Sequence, residues 1–167
     1  MLQALITSKT RMRLLVKFFI NVANTGYLRG LATEMQENTN AIRKELNNLS
    51  EAGFLVREEQ DAKVMYRANA SHPFFGVLQE LVRKHLGIDQ IIAHIFSRLG
   101  DVSKIYLVGD CAKGLDTGVI EVIVEGMHLN QDYLDQLIPK VSKELNKKII
   151  IHTTSHFEGN GLLLFEK

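Results

Sequence analysis

The segment 38–53, with the sequence NTNAIRKELNNLSEAG, constrains the fold of this chain more than any other stretch. Its apolar residues fall at i, i+4 and i+7, which forms one apolar stripe along a helix: Ile42, Leu46 and Leu49. Asn38 and Thr39 are both favoured N-cap residues, and Gly53 is a favoured residue just beyond a helix C-terminus. The pattern therefore predicts a helix that begins after Asn38 or Thr39 and ends at Gly53.

The opposite side of this helix carries amide and basic side chains at the same spacing: Asn40, Arg43, Lys44 and Asn47. Glu45 and Glu51 lie at the margins of that face, which itself holds no acid. Such side chains hydrogen-bond base edges and neutralise phosphates, so the face is typical of a DNA recognition helix. The alternative is an ordinary amphipathic helix whose polar face is solvated.

Two further helices are predicted before this one. The first covers about residues 11–22, with a buried stripe of Met12, Leu15, Val16, Phe19 and Val22. Residues 24–26 form a turn, and residues 27–35 form a second, short helix. A tight polar connection, residues 36–38, joins it to the recognition helix, and this order is that of a helix-turn-helix.

A β-hairpin is predicted directly after Gly53. Residues 54–57 and 64–68 are rich in strand-forming residues, and a polar turn around residues 59–62 joins them. This hairpin is placed as the wing of a winged helix-turn-helix. Lys63 and Arg67 are predicted to touch backbone phosphate, as is Thr39 at the start of the recognition helix. The acids of the hairpin oppose phosphate binding, so the wing is expected to contribute weakly: Glu58, Glu59 and Asp61.

The motifs in residues 28–67 resemble a known family. N-T-N-A-I-R-K-E-L, E-A-G-F-L-V and Y-R-A-N look like the winged-helix regulators of the arsenical-repressor type. The H-P-F-F sequence that follows, residues 72–75, resembles a variant in which this domain is fused to a nucleotidyltransferase-like domain. The resemblance implies a transcriptional regulator that binds double-stranded DNA.

Two apolar helices are predicted in the middle of the chain, over residues 74–85 and 89–99, with Pro73 at the start of the first. They are too apolar to stand free in water, so they pack on the second domain or form a dimer interface. We expect both, because a dimeric regulator places two recognition helices about one DNA turn apart.

The last third of the chain alternates strands and helices. Strands are predicted at residues 105–108, 119–124, 148–152 and 162–165, with a helix over residues 129–146. This pattern predicts a small α/β domain and an α+β fold class for the whole chain. The predicted domains are a winged helix-turn-helix at 1–70, helical linker or dimerisation helices at 71–99, and a nucleotidyltransferase-like domain at 100–167.

The glycine turn of this last domain resembles the nucleotide site of the minimal nucleotidyltransferases, in altered form. Its corresponding residues are Gly109, Asp110, Lys113, Gly114 and Glu121. In the family, a glycine-serine turn holds phosphates and D-x-D carboxylates hold two divalent ions. Asp110 replaces the serine and Val119 replaces the first aspartate, so the metal ligands are lost and no transferase activity is expected. Asp116 and Glu125 are the carboxylates that could substitute.

Composition and charge set outer limits on the function. Hydrophobic residues make up 46% and charged residues 23% of the 167 residues, as in a globular protein. No apolar run reaches the length of a membrane span, and residues 1–9 lack the pattern of a signal peptide. Cys111 is the single cysteine, which excludes an internal disulfide and predicts a cytoplasmic location.

Charge is unevenly distributed although the net charge is only +1. Residues 1–70 carry 10 Lys and Arg against 7 Asp and Glu, whereas residues 100–167 carry 7 against 10. The basic first part is expected to meet the polyanion. His152, His156 and Glu158 are spaced like metal ligands, but without cysteine or a second pair they are interpreted as a solvated loop.

The sequence thus predicts a DNA-binding regulator without catalytic residues, cofactor or metal. The second domain is expected to serve dimerisation or the response to an unknown small-molecule effector or partner. Two alternatives stay open: a divergent metal-dependent nucleotidyltransferase, and a winged helix that binds protein rather than nucleic acid.

Overall fold

The computed structural model describes residues 2–167, which divide into two compact units of mixed α and β structure. The first unit extends to His85 and the second runs from Leu86 to Lys167. The division falls inside the segment that the sequence assigned to linker helices. No helix in the described part of the chain is long and apolar enough to cross a membrane.

The first unit contains a short 3₁₀ turn, Leu2–Ala4, followed by helices and a small sheet. In chain order its elements are α1 Lys9–Phe19, β1 Thr25–Tyr27, α2 Leu28–Met35, α3 Thr39–Glu51, β2 Leu55–Gln60 and β3 Lys63–Ala68. Helix α4, Phe75–Leu86, reaches the boundary between the units. The core of the first unit is formed by large side chains that are fully buried: Leu14, Phe18, Phe19, Leu31, Ile42 and Leu46.

Helix α3 begins where the sequence predicts. The Asn38 side chain accepts a hydrogen bond of 2.7 Å from the Asn40 amide, which satisfies one of the free amides of the first turn. Gly53 ends the helical segment with a φ of +79°, and the Phe54 amide bonds back to the Leu49 carbonyl. Gln36, also in the left-handed region, ends α2, so the connection between the two helices is tight.

The sheet of the first unit has the order β1-β3-β2, and both pairings are antiparallel. Pairing of β2 with β3 continues to Gln60 and Lys63, which leaves a turn of only Asp61 and Ala62. Both turn residues have positive φ, as the type I′ hairpin turn requires. The turn is therefore shorter than the predicted one.

Two predictions for this unit were wrong in detail. The segment Thr25–Tyr27 was predicted as a turn and the start of a helix, but it forms β1, whose three residues are too few for a periodic signal. Val22 was placed in the buried stripe of α1, yet it is exposed because α1 ends at Phe19.

The second unit is a four-stranded sheet with three helices. Its elements are α5 Ile88–Arg98, β4 Asp101–Val108, α6 Gly109–Ala112, β5 Val119–Met127, α7 Gln131–Leu145, β6 Lys148–Thr154 and β7 Leu162–Glu166. The strand order is β6-β5-β4-β7. β5 and β6 are parallel and are joined through α7, whereas β4 is antiparallel to both of its neighbours.

Helices α5 and α7 are joined by a polar contact as well as by apolar burial. The Tyr133 hydroxyl donates to the His94 carbonyl at 2.8 Å and lies 2.6 Å from the Ser97 hydroxyl. Alternate residues of the central strands are buried, and those between them are partly accessible. Glu121 of β5 therefore lies among the partly accessible residues of the sheet.

Candidate functional site

The outward face of α3 carries the side chains that the sequence predicts for base reading. Asn40, Arg43, Lys44 and Asn47 are all exposed, as is Thr39 at the first position of the helix. Arg43 Nη1 donates to Asn40 Oδ1 at 2.8 Å, so these two side chains form one hydrogen-bonded pair on the surface. The face presents amide and cationic donors side by side.

Glu45 does not lie at the margin of this face, as the sequence suggested, but is buried beneath it. Its carboxylate accepts from Arg11 Nε at 2.7 Å and from the Ser8 hydroxyl at 3.0 Å. Ser8 in turn caps α1 by accepting from the Arg11 amide. This ion pair fixes α3 to the start of α1 and keeps a carboxylate away from the outward face.

The other two acids around the connection of α2 and α3 are also bound by α1. Lys17 Nζ lies 2.9 Å from Glu34 Oε2, and the Lys17 side chain is almost fully buried. Glu37 accepts from the Thr10 hydroxyl at 3.2 Å and lies 3.5 Å from Arg13 Nη1. The cations of α1 therefore neutralise the acids of the neighbouring helices, while the cations of α3 have no acidic partner in the part of the chain that the structure describes.

A cavity of about 380 Å³ lies beside the outward face of α3. We call it the basic cleft, because four of its lining residues are cationic: Arg29, Arg43, Arg57 and Lys63. None of these four forms a salt bridge with an acid in the described chain, residues 2–167. Tyr27, Tyr66 and Asn47 complete the polar and aromatic part of the wall.

The cleft brings together three of the predicted DNA-binding residues and adds two that the sequence reading missed. Arg43, Asn47 and Lys63 line it, and Arg29 and Arg57 were not predicted. Arg57 directly precedes the acidic residues at the tip of the hairpin. Because these acids predicted only a weak contribution of the hairpin to phosphate binding, Arg57 was not predicted as a contact. The feature that could have identified Arg57 was its position in the hairpin, directly opposite Tyr66.

Arg67, the remaining predicted contact of the hairpin, does not line the cleft. Its guanidinium donates to Glu58 Oε1 from Nε at 3.0 Å and from Nη2 at 2.7 Å. Both side chains are exposed, so the pair is solvated. The charge of Arg67 is already compensated within the hairpin.

In the glycine turn of the second unit, the side chain of Glu121 lies against Gly109, the first residue of the turn. Gly109 has a φ of +69°, and a Cβ there would lie 3.0 Å from Glu121 Oε2. The other oxygen of Glu121 is 2.9 Å from Nε2 of His152 on the neighbouring strand β6. His152 therefore lies in a strand, as predicted for residues 148–152, and it pairs with Glu121 instead of belonging to a solvated loop with His156 and Glu158.

The carboxylates around this turn do not fit a pair of divalent ions. Asp116 accepts from Lys147 Nζ at 2.7 Å and from the Gly118 amide. Glu125 is buried and accepts from the Phe157 amide at 3.0 Å. Within residues 2–167, no three His, Cys, Asp or Glu side chains form a group that could hold a metal ion. Each of these two carboxylates is already held by a partner in the chain.

Cys111 lies inside this turn and is buried. Burial, followed by the nearby charge of Asp116, raises the pKa of its thiol to about 12. A thiol with so high a pKa is protonated at neutral pH and is a poor nucleophile. Cys111 is therefore a small packed side chain in this structure.

Comparisons with models of protein families, with curated proteins and with solved structures found no match for this chain.

Proposed function

We propose that this chain is a sequence-specific, DNA-binding transcriptional regulator. In this proposal the first unit is a winged helix-turn-helix, with α2 and α3 as the helix pair and the β2-β3 hairpin as the wing. The second unit is a nucleotidyltransferase-like domain that lacks transferase activity. The observation that carries the proposal is the outward face of α3, which exposes Asn40, Arg43, Lys44 and Asn47 while Glu45 is held inward by Arg11.

The chemistry of this face suits the major groove. An arginine makes a bidentate pair with guanine, and an asparagine makes one with adenine. Asn40 and Arg43 lie near the N-terminal end of α3, the part of a recognition helix that contacts base edges. In this proposal Thr39 and Lys63 contact the flanking phosphates, which set the register but carry no sequence information.

A homodimer follows from this mode of binding. One α3 helix reads only a few base pairs, and a twofold pair of such helices reads two half-sites about one DNA turn apart. The second unit then supplies dimerisation or the response to an effector or partner. Neither role requires the metal ligands that the glycine turn lacks.

The test is fluorescence anisotropy with duplex DNA from the region upstream of the chain's own coding sequence. It is titrated at near-physiological salt against scrambled duplex. Specific binding is expected, and Arg43→Ala should weaken it by about 1–3 kcal/mol if Arg43 contacts a guanine. Lys140→Ala is the matched control, because it removes one exposed cation from α7 of the second unit.

Equal affinity for the two duplexes would contradict sequence-specific binding. If specific binding occurs but Arg43→Ala and Lys140→Ala behave alike, then Arg43 is not a reading residue. Transfer of label from a nucleotide in the presence of Mg²⁺ or Mn²⁺ would instead establish a nucleotidyltransferase.

A further inference from the structure

We propose that the basic cleft binds a phosphate group, either in the backbone of a DNA strand or on a small phosphorylated molecule. The DNA arm of this proposal rests on the proposed function, whereas the small-molecule arm does not. Arg29 and Arg57 were not among the predicted DNA-binding residues. Arg43 and Lys63, which were predicted, are the other two cations that line the cleft.

The four cations reach the cleft from four different segments. Arg29 lies in the first turn of α2, Arg43 in α3, Arg57 in β2, and Lys63 at the start of β3. Among residues 2–167, no acid lines the cleft. Like charges around a concave surface repel one another and focus a positive potential, so an anion at the centre is strongly favoured.

Aromatic rings hold two of these cations without using their hydrogen-bond donors. Lys63 Nζ lies 4.3 Å from the centre of the Tyr27 ring, and Arg57 Cζ lies 5.9 Å from the centre of the Tyr66 ring. A cation over a ring face is attracted by the π electrons and keeps its N–H groups available. Both side chains are therefore positioned before any ligand arrives.

The tyrosine wall is itself firmly seated. A methyl group at Gly30 would lie 2.8 Å from Tyr27 Cε1, so the ring packs directly against the first turn of α2. Tyr66 is buried and lies directly opposite Arg57 in the hairpin. The cleft is thus a formed cavity rather than a group of independent surface cations.

Phosphate is the anion that this chemistry fits best. Its several acceptor oxygens match the forked donors of arginines that converge from different directions. The volume of about 380 Å³ is within the range of small-molecule sites, so it accommodates more than a bare ion. A nucleoside monophosphate or one residue of a DNA strand is of suitable size.

The first arm of the experiment measures binding of pyrophosphate and of a nucleoside monophosphate to the full chain by calorimetry, in a buffer free of phosphate and sulfate. The variants are Arg57→Ala and Arg67→Ala. Both remove an exposed arginine from the same hairpin, but Arg67 is paired with Glu58 and lies outside the cleft. We expect Arg57→Ala to raise the Kd about tenfold or more, and Arg67→Ala to change it less than about twofold.

The second arm measures DNA binding over about 50–200 mM salt. If Arg57 binds a backbone phosphate, Arg57→Ala should reduce the slope of log K against log salt by about one, equally on the upstream duplex and on the scrambled duplex. Arg67→Ala should leave the slope unchanged. Circular dichroism verifies that both variants are folded.

The two arms separate this proposal from the proposed function. Pyrophosphate binding that depends on Arg57, without any DNA binding, would support the cleft as a small-molecule site. It would contradict the proposal that the chain is a DNA-binding regulator. A changed DNA slope without pyrophosphate binding would assign the phosphate to DNA. If the two variants behave alike in both arms, the proposal that the cleft binds phosphate is contradicted, even if the protein binds DNA specifically.

Discussion

The two units contain similar numbers of charged residues but differ in which of them are left unpaired around the two candidate sites. Around the outward face of α3, the acids are bound inward by α1, and the four cations of the basic cleft have no acidic partner among residues 2–167. Around the glycine turn of the second unit, the acids themselves are bound, Glu121 by His152 and Asp116 by Lys147. A charged side chain that is already paired within the chain must give up that partner to a ligand, at a cost that is small where the pair is exposed.

This difference explains why one surface suits an anion and the other does not suit a metal. A free cation gains a full interaction with phosphate, whereas a paired carboxylate must first lose its partner before it can ligate an ion. Four substitutions test the comparison, in order of decreasing expected effect.

The largest effect is expected when the inward acid of α3 is removed. Glu45→Ala removes the acceptor of hydrogen bonds from Arg11 and Ser8 and should destabilise the first unit by about 2–3 kcal/mol, because Glu45 is buried although Arg11 is partly exposed. Hydrogen exchange of the α3 amides measures this loss locally. Glu51→Ala is the control, since Glu51 is an exposed acid at the end of the same helix, and it should change stability by less than about 0.5 kcal/mol. Similar losses in the two variants would show that the inward pairing does not hold α3.

Glu45 also shows what the sequence can and cannot predict. The spacing of Ile42, Leu46 and Leu49 predicts the helix and its buried side, because periodicity depends only on neighbouring residues. The direction of Glu45 depends on Arg11, which lies 34 residues earlier in the chain. A partner so distant in sequence leaves no local pattern, and the same applies to Glu121 with His152.

The second effect concerns the buried acid of the sheet. Glu125→Ala removes the acceptor for the Phe157 amide, whereas the Ser103 hydroxyl keeps the Glu125 backbone carbonyl as its acceptor, so the change should destabilise the second unit by about 1–3 kcal/mol. Glu125→Gln keeps an acceptor oxygen and should lose less. Glu158→Ala, on the exposed loop after β6, is the control, and urea denaturation measures all three. If glutamine and alanine are equally destabilising, the carboxylate is held for its charge and not as an acceptor.

The third effect is a loss of stability at high pH that depends on Cys111. Because the folded pKa of the thiol is raised to about 12 from its ordinary 9.0, the thiol is protonated in both states below pH 9. Above pH 9 the unfolded chain ionises first, so stability falls, by about 1 kcal/mol at pH 10. The change in unfolding free energy between pH 8 and 10 should be larger for the wild type than for Cys111→Ala. Equal changes would mean that the thiolate is tolerated in the folded turn.

The same turn shows the limit of reading a site from its motif. A resemblance in sequence predicts an altered nucleotide site formed by Gly109, Asp110, Lys113, Gly114 and Glu121. The structure brings Gly109 and Glu121 of this set into contact. The sequence does not indicate that His152 pairs with Glu121, because a histidine in a strand has no distinctive spacing. The pairing of Glu121 and Asp116 with internal partners is visible only in three dimensions.

The smallest effect is the most direct test of pairing. Glu58→Gln removes the carboxylate that binds Arg67, at a stability cost of less than about 1 kcal/mol because the pair is exposed. If pairing is what keeps Arg67 from contacting phosphate, the variant should bind duplex DNA roughly two- to fivefold more tightly at low salt, and the gain should fade as salt rises. Glu59→Gln changes the net charge equally, but Glu59 forms no salt bridge within the described residues, so its gain should be smaller. Anisotropy at two salt concentrations measures both variants. Equal gains would mean that total charge, and not the release of a particular arginine, governs the affinity, and the contrast between the two units would then lose its physical basis.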